Sequence, residues 1–446
     1  MNFLTLLPIL IVLTGSFLLV KLRFFFIFSP KKTLNCLRRA LREKGALSAL
    51  WLSLAGTLGV GNIVGVAFGI AVGGAGSVFW LFISAFFSSV LKYSECLIST
   101  DAKRDGSFGM ANVLKKCFRP FSPVYSALCI LLSLTMGTAL QAKAMSESAA
   151  CILGNEKIGV ISAFIFTLFT LLALRKGGEK IAKITAYIIP LSTIIYIFLT
   201  FSIIFANSSR LLEVIKLIIS DAFSIRAGTG GVMAFLTSRG LKEGFSRGLL
   251  SNEAGAGTST LAHAKNCGTP VSSGLVSMLE VFFDTTLLCT LTALAVLLSV
   301  DSLDAYSSGI EIIVACFSPL GPPALFLLFF SIASFAFSTV ICWYYYGKTS
   351  LSFLTDKWSG VYLTLFLSSV LSGTFVSSEI LIVISDYLLF FLSVLSLFAL
   401  IKNSDRLRYL SESEGLITKR EFSTKARKKE ALQGTRQIRF RKSRRL

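Results

Sequence analysis

The sequence predicts an all-α polytopic membrane protein of eleven transmembrane helices. One N-terminal helix precedes a core of two inverted repeats of five, in which the first and sixth core helices are broken. Three observations predict this. Hydrophobic residues make up 54% of the 446, and the mean hydropathy is +0.73. Runs of about 20 apolar residues, each long enough to cross a hydrocarbon core of about 30 Å, recur along the chain. Lysine and arginine collect in alternate loops, as they do on the cytoplasmic side of a membrane. The runs are continuous rather than alternating, which argues against a β-barrel.

The first helix is expected at 3–22. Basic residues follow its apolar run rather than precede it, so it reads as a membrane helix with its N-terminus outside, not as a cleaved signal. The other spans are expected at 49–72, 77–99, 122–146, 156–174, 181–206, 211–238, 271–300, 320–347, 360–378 and 379–401. Segment 211–250 is interrupted and only moderately apolar. The loops expected inside hold Lys21 to Arg42, Lys103 to Lys116, Arg175 to Lys183, Arg239 to Lys265, and Lys348 with Lys357. The loops expected outside, "GGAG", "SVDSLDAYSSGIE" and "SGTFVSSE", have no basic residue. Arg210, Lys216 and Arg226 are the exception.

The transmembrane domain is thus placed at 1–401 and a basic cytoplasmic tail, read as disordered, at 402–446. Much of the net charge of +20 lies in that tail. It suits contact with anionic lipid headgroups. With Phe440 the single aromatic of its basic run it lacks a stacking platform, so nucleic acid is not expected as a partner. The nine cysteines show no CxxC and no metal spacing, and Cys129 and Cys289 read as small buried hydrophobes.

Glycine supplies the functional signal. "AGTLGVGNIVG" at 55–65 opens the first core helix and "AGTGGVMAF" at 227–235 the sixth. Glycine disfavours a helix interior by about 0.8–1.0 kcal/mol relative to alanine. Interruptions at matching places in two halves point to a transporter with a midplane site. Broken backbone at that depth must line a cavity or be buried in protein. N–H groups at a half-helix N-terminus suit a carboxylate, and carbonyls at a C-terminus suit an ammonium group or sodium. No charged side chain occurs between Gly45 and Leu91, which fits a zwitterion held by backbone. The glycine spacing GxGxxxG, inside a membrane span, is not a dinucleotide fingerprint.

"AGTLGVGNIVGVAFGIAVGGAGSVFW", "SRGLLSNEAGAGTSTLAHA" and "FAFSTVICWYYYGK" together resemble the bacterial alanine or glycine:cation symporters, the sodium:alanine symporter family. The resemblance covers roughly residues 20–400. It implies a leucine-transporter-like fold in a bacterial plasma membrane, and import of alanine or glycine with sodium as the coupling ion. It implies a substrate site of Thr57, Gly59, Gly61, Asn62, Gln141, Phe223, Gly230, Gly231 and Trp343. By the same likeness sodium takes the carbonyls of Ala55 and Leu58 with Ser338 and Thr339, an all-oxygen set that suits a hard cation. After "SNEAG" the chain departs from the family's more proline-marked stretch, with Thr258 and Ser259 there.

Intramembrane acids default to functional roles. Asp284 and Glu280, one turn apart, are expected either to couple a proton or sodium or to pair with basic residues as a gate. Glu253, with Asn252 and Arg247 in the inner loop, reads as a structural or gating cap of that re-entrant segment more than as a substrate contact. Glu95 beside Lys92 reads as an interfacial ion pair, and Glu147 as solvated. His263, the only histidine, has no second ligand nearby in sequence. One histidine makes an enzyme a poor reading. A proton-coupled carrier, or a non-transporting membrane sensor with the tail as output, is the alternative to sodium symport.

Overall fold

The computed structural model describes residues 3–103, 109–175, 178–224, 239–263 and 268–417, and the regular elements among them are helices. Seven of these are long and apolar enough to cross a membrane: Gly76–Ala102, Phe121–Leu153, Glu156–Arg175, Tyr187–Ala206, Pro270–Ser299, Pro322–Leu354 and Ser378–Lys402. A bent pair, Ala46–Thr57 with Val60–Gly73, makes an eighth. Leu6–Lys21 and Ser359–Gly373 are apolar but shorter, and fall on the first and tenth expected spans. Phe164, Leu168, Ile194, Phe198 and Phe205 stand exposed on two of the long helices, an apolar exterior suited to lipid tails. Trp343, Tyr93, Tyr196 and Tyr346 are fully buried within the bundle.

The helices leave two polar ends. One carries Gly74, Gly154, Asn207 and the loop at Ser302–Ser308; the other carries Gly45, Lys103, Thr269 and Asn403. The expected span 211–238 is corrected by this frame. Its described part, Leu211–Ala222, is a helix of 12 residues. At 1.5 Å per residue it is about 18 Å long, too short to cross. Both of its ends lie at the Gly74 end of the bundle. At its start Arg210 pairs with Asp301 (3.0 Å), and at its finish Asp221 accepts from the Gly76 N–H (2.6 Å). It buries only Val214, Ile218 and Ala222, so it lies across the bundle.

A second correction concerns Arg239 to Arg247, which the charge pattern put in a loop at the opposite end. The helix Arg239–Asn252 begins beside Gly73 and runs back into the bundle along Gly76–Ala102. Gly240, Gly244 and Gly248 make this approach possible. A Cβ on Gly244 would stand 2.7 Å from the Trp80 Cβ, closer than carbon atoms pack. Small residues four apart let two membrane helices touch backbone to backbone.

The expected tail boundary at 401 is also revised. Ser404–Ser413 is helical and buries Leu407 and Leu410, with Leu416 and Ile417 buried after it. The spacing i, i+3 of those leucines is hidden in the sequence by the charges around them. Those charges are paired: Lys21 with Asp405 (2.6 Å), Asp101 with Arg406 (2.7 Å) and Arg23 with Glu412 (3.3 Å). The Lys21 ammonium holds the exposed Asp405 carboxyl below its ordinary range. Residues 418–446 lie outside the described residues.

Candidate functional site

The helix Ala46–Thr57 stops at Leu58 (φ −72°, ψ 78°), and Gly59 is extended (φ −121°, ψ −165°). A short turn, Val60–Asn62, leads into Val64–Gly73, and the two arms meet at 66°. The Gly59 N–H donates to the Thr57 carbonyl (2.8 Å), where an unbroken helix would send it to Ala55. Glycine at 59 lets two side-chain ends come close. A Cβ there would lie 2.9 Å from Gln141 Oε1 and 3.1 Å from Thr339 Oγ1.

Side chains from two other helices satisfy the opened backbone. The Val60 N–H donates to Gln141 Oε1 (3.0 Å), and Gln141 Nε2 donates to the Met136 carbonyl (3.1 Å). Met136 belongs to a widened π turn, Thr135–Ala139, inside the Phe121–Leu153 span. Such turns free carbonyls and cluster at functional sites. The Thr339 hydroxyl donates to the Leu58 carbonyl (3.2 Å), and the Trp343 indole N–H to the Gly56 carbonyl (3.2 Å). Ser338 turns back to the Phe335 carbonyl (3.0 Å) of its own helix.

On its other side the break borders a cavity. Gly61, Gly65, Phe68, Leu140, Ala144 and Leu250 form its apolar wall, and Glu147, Ser308 and Ser378 its polar rim at the Gly74 end. A Cβ on Gly61 would meet nothing nearer than the Leu250 carbonyl at 3.9 Å, so backbone faces open space there.

Residues 1–409 match the sodium:alanine symporter family. The chain belongs to that family. It is 28% identical to the sodium/alanine symporter AgcS of Methanococcus maripaludis over 78% of this chain and 80% of that protein. It is 30% identical to the sodium/proton-dependent alanine carrier protein of Bacillus sp. PS3, over 74% and 78%. It is 29% identical to the probable sodium/glutamine symporter GlnT of Bacillus subtilis, over 79% and 75%. The protein is therefore a multi-pass membrane transporter of the sodium-coupled amino-acid class, and not an enzyme.

In this symporter a second interruption abuts the first. Arg239–Asn252 ends at Glu253, which is left-handed (φ 54°), as are Gly255 (φ 89°) and Gly257 (φ 77°). Helix resumes for one turn at Thr260–His263, and every residue from Glu253 to His263 is buried. The polar reading of "SNEAGAGTST" as an inner loop is corrected: it is a buried strip of backbone. Glu253 accepts from the Thr258 hydroxyl, and Asn252 donates to Thr285 (3.0 Å).

Lys92 and Glu95 are corrected as well. Both are fully buried rather than interfacial, and they do not pair with each other. Lys92 Nζ reaches Glu280 (3.3 Å) and Ser259, His263 Nε2 meets the other Glu280 oxygen, and Glu95 accepts from Ser396 (3.1 Å). This network staples Gly76–Ala102 and Pro270–Val281 to the second interruption. Lys92 and Glu280 are 188 residues apart in the chain and Glu95 and Ser396 are 301 apart, beyond any local pattern.

Of the residues expected at the substrate, Gly59, Gly61, Asn62 and Gln141 gather at the first break. Thr57 is buried there, its hydroxyl on the Ser53 carbonyl (3.3 Å). Trp343 is fully buried against Gly56. Phe223 is elsewhere: it is half exposed and packs on Phe79 and Trp80 at the Gly74 end, because Leu211–Ala222 never enters the bundle. Gly230 and Gly231, with the segment 227–235, lie outside the described residues. Of the sodium set, Leu58 and Thr339 are in contact, Ser338 is one residue away on the same helix, and Ala55 is on the last turn before the break. Arg247 does not accompany Glu253. It pairs with Glu243 (3.1 Å) and Asp386 (3.8 Å), and lies over the Phe68 ring at the cavity wall. Ser251 and Thr285 carried no sequence signal; Asp386 carried one that was passed over, as an acid inside the expected span 379–401.

Proposed function

We propose that this symporter imports a small neutral amino acid, alanine or glycine, together with sodium, by alternating access about the break at Leu58–Ile63. The carrying observation is the contrast across that break. Gly61 presents backbone to the cavity, while one turn earlier the Leu58 carbonyl faces the Thr339 hydroxyl. A substrate carboxylate would take the N–H groups of the Val60–Asn62 turn. Sodium would take the Leu58 and Ala55 carbonyls with Ser338 and Thr339. The donor set fits: it is neutral and all oxygen, and the Thr339 hydroxyl now donates to the Leu58 carbonyl that a cation would engage instead.

The eleven-span, five-plus-five reading is kept with one change. The sixth core helix is Arg239–His263, broken at Glu253–Ser259. Leu250 beside Gly61 supports this, since it brings the second break to the first. With basic loops inside, the N-terminus is outside, the C-terminus is cytoplasmic, and the cavity opens outward. Arg247 and Asp386 then form the outer gate above Phe68. The wall of Phe68, Leu140 and Leu250 selects small side chains, at about 1–3 kcal/mol per added methylene.

Uptake of labelled alanine and glycine into proteoliposomes tests this, with a sodium gradient and a proton gradient applied separately. The expected result is saturable, sodium-driven uptake of alanine or glycine that excess leucine does not inhibit. Uptake driven by protons alone, or preference for a larger amino acid such as glutamine, contradicts it.

A further inference from the structure

Gln141 faces the first break because its own helix carries an extra residue. The Phe121–Leu153 span is interrupted by the π turn Thr135–Ala139. There the Leu140 N–H donates to the Thr135 carbonyl, five residues back rather than four. At 3.6 residues per turn, one residue rotates a helix face by about 100°. Were the turn regular α-helix, Gln141 would swing by about that angle relative to Phe121–Leu134, and the apolar Leu140 would take its place. The π turn therefore decides which side chain meets Val60.

A second helix holds that turn. The Thr138 hydroxyl donates to the Leu134 carbonyl (2.7 Å), and the Ser369 hydroxyl, from the helix Ser359–Gly373, donates to the same carbonyl. The two hydroxyl oxygens lie 3.1 Å apart. Two turns earlier Tyr362 shares a hydrogen bond with Ser133 (2.9 Å), and one turn later a Cβ on Gly373 would stand 2.5 Å from the Ala139 Cα. Tyr362, Ser369 and Gly373 share one face of their helix, whereas Val361 and Leu365 are half exposed. On the other side of the turn Gly137 makes room for Trp343, since a Cβ there would lie 2.4 Å from its ring. Polar contacts of this kind can serve membrane-helix packing alone. Here they converge on the turn whose Met136 carbonyl accepts from Gln141 Nε2 (3.1 Å), which leaves Oε1 aimed at the Val60 N–H (3.0 Å).

We propose that Ser369 and Thr138 are positioning residues for substrate recognition. They hold the π turn, and through it the face that Gln141 presents to the break. Neither lines the cavity at Gly61. The inference rests on the reading above that places the substrate at this break, and it extends recognition to a helix that never reaches the substrate. The link ends at the Val60 N–H and leaves the Leu58–Thr339 contact alone. Recognition of the amino acid should therefore change without a change in sodium affinity.

The test is the KM of labelled alanine uptake in proteoliposomes, with competition by a panel of small amino acids and the sodium midpoint. Ser369→Ala and Thr138→Val are each expected to raise the alanine KM severalfold. Both should shift the order of competing amino acids in the same sense as Gln141→Leu, with the sodium midpoint unchanged. Added to Gln141→Leu, Ser369→Ala is expected to do nothing more, because it acts through that side chain. Ser369→Thr keeps the hydroxyl and should keep the wild-type KM, as should Ser368→Ala, exposed on the same helix. Should Ser369→Ala not fold, Thr138→Val alone and with Gln141→Leu decides in the same way. A lower melting temperature with KM and amino-acid order unchanged overturns the proposal and leaves a packing role. Effects of Ser369→Ala and Gln141→Leu that simply add overturn it too. Absence of sodium-driven alanine uptake by the wild type, or an order unchanged in Gln141→Leu, would instead defeat the underlying reading.

Discussion

Around Leu58–Val60 the backbone is held by neutral groups, Gln141, Thr339 and Trp343, and it opens onto a cavity at Gly61. Around Glu253–Ser259 the backbone is closed in, and the charged network of Lys92, Glu280 and His263 packs beneath it. Two interruptions of helix in one bundle therefore do different work. The first leaves peptide groups available to a ligand. The second spends its polar groups on the protein itself and ties three helices together. Glycine content alone does not separate them; what the opened backbone touches does.

The largest expected effect breaks the closed side. Lys92→Met leaves the Glu280 carboxylate buried without its ammonium partner, a loss of about 3–5 kcal/mol. A steep fall in the melting temperature of the detergent-purified protein measures it. Adding Glu280→Leu to Lys92→Met is expected to recover much of that fall, because the unpaired charge is gone. If the double variant is no more stable than the single one, the network is not a matter of paired charge.

The open side was the more legible of the two, for a physical reason. Gly59 packs closely on Gln141 and Thr339, and Gly61 leaves its backbone open to the cavity, so the density of glycine at 56–65 marks the break directly. Hydropathy marked the long spans because lipid contact and burial both demand apolar residues. The closed side depends on pairings between distant segments. Lys92 beside Glu95 suggested a local pair, whereas its partners are Glu280 and Ser259. The "SNEAGAGTST" stretch reads as a loop because polarity alone does not say whether a segment is wet or buried among partners. Charge misplaced Arg239–Arg247 for the same reason: Arg247 is buried and paired with Glu243 and Asp386, not exposed in a cytoplasmic loop.

The next effect separates close approach from open space. Gly59→Ala forces a methyl against Gln141 and Thr339, and overpacking of this kind costs about 1–3 kcal/mol. Alanine uptake should fall about tenfold or more. Gly65→Ala, whose Cβ meets nothing within 4 Å, should stay within about 1 kcal/mol of wild-type stability and keep uptake. Equal losses in the two would mean that the tight contact at Gly59 is not what the break requires.

A smaller effect is expected from Gln141→Leu. It leaves the Val60 N–H without its acceptor, at about 1–3 kcal/mol, and should shift the substrate profile while the protein still reaches the membrane. Competition by a panel of small amino acids reads that shift. The smallest effect is at the C-terminus. Ending the chain after Ile417 keeps the docked Ser404–Ser413 helix, so melting temperature and uptake should both match the intact protein.

The central claim is that the Leu58 carbonyl and the Thr339 hydroxyl form a sodium site beside the substrate. Sodium titration of alanine uptake by Thr339→Val tests it most directly, since valine keeps the shape and removes the oxygen. The account predicts a sodium midpoint raised about tenfold, equivalent to about 1.4 kcal/mol, with the order of preference among amino acids unchanged. An unchanged sodium midpoint, or a change in amino-acid preference without one, contradicts it.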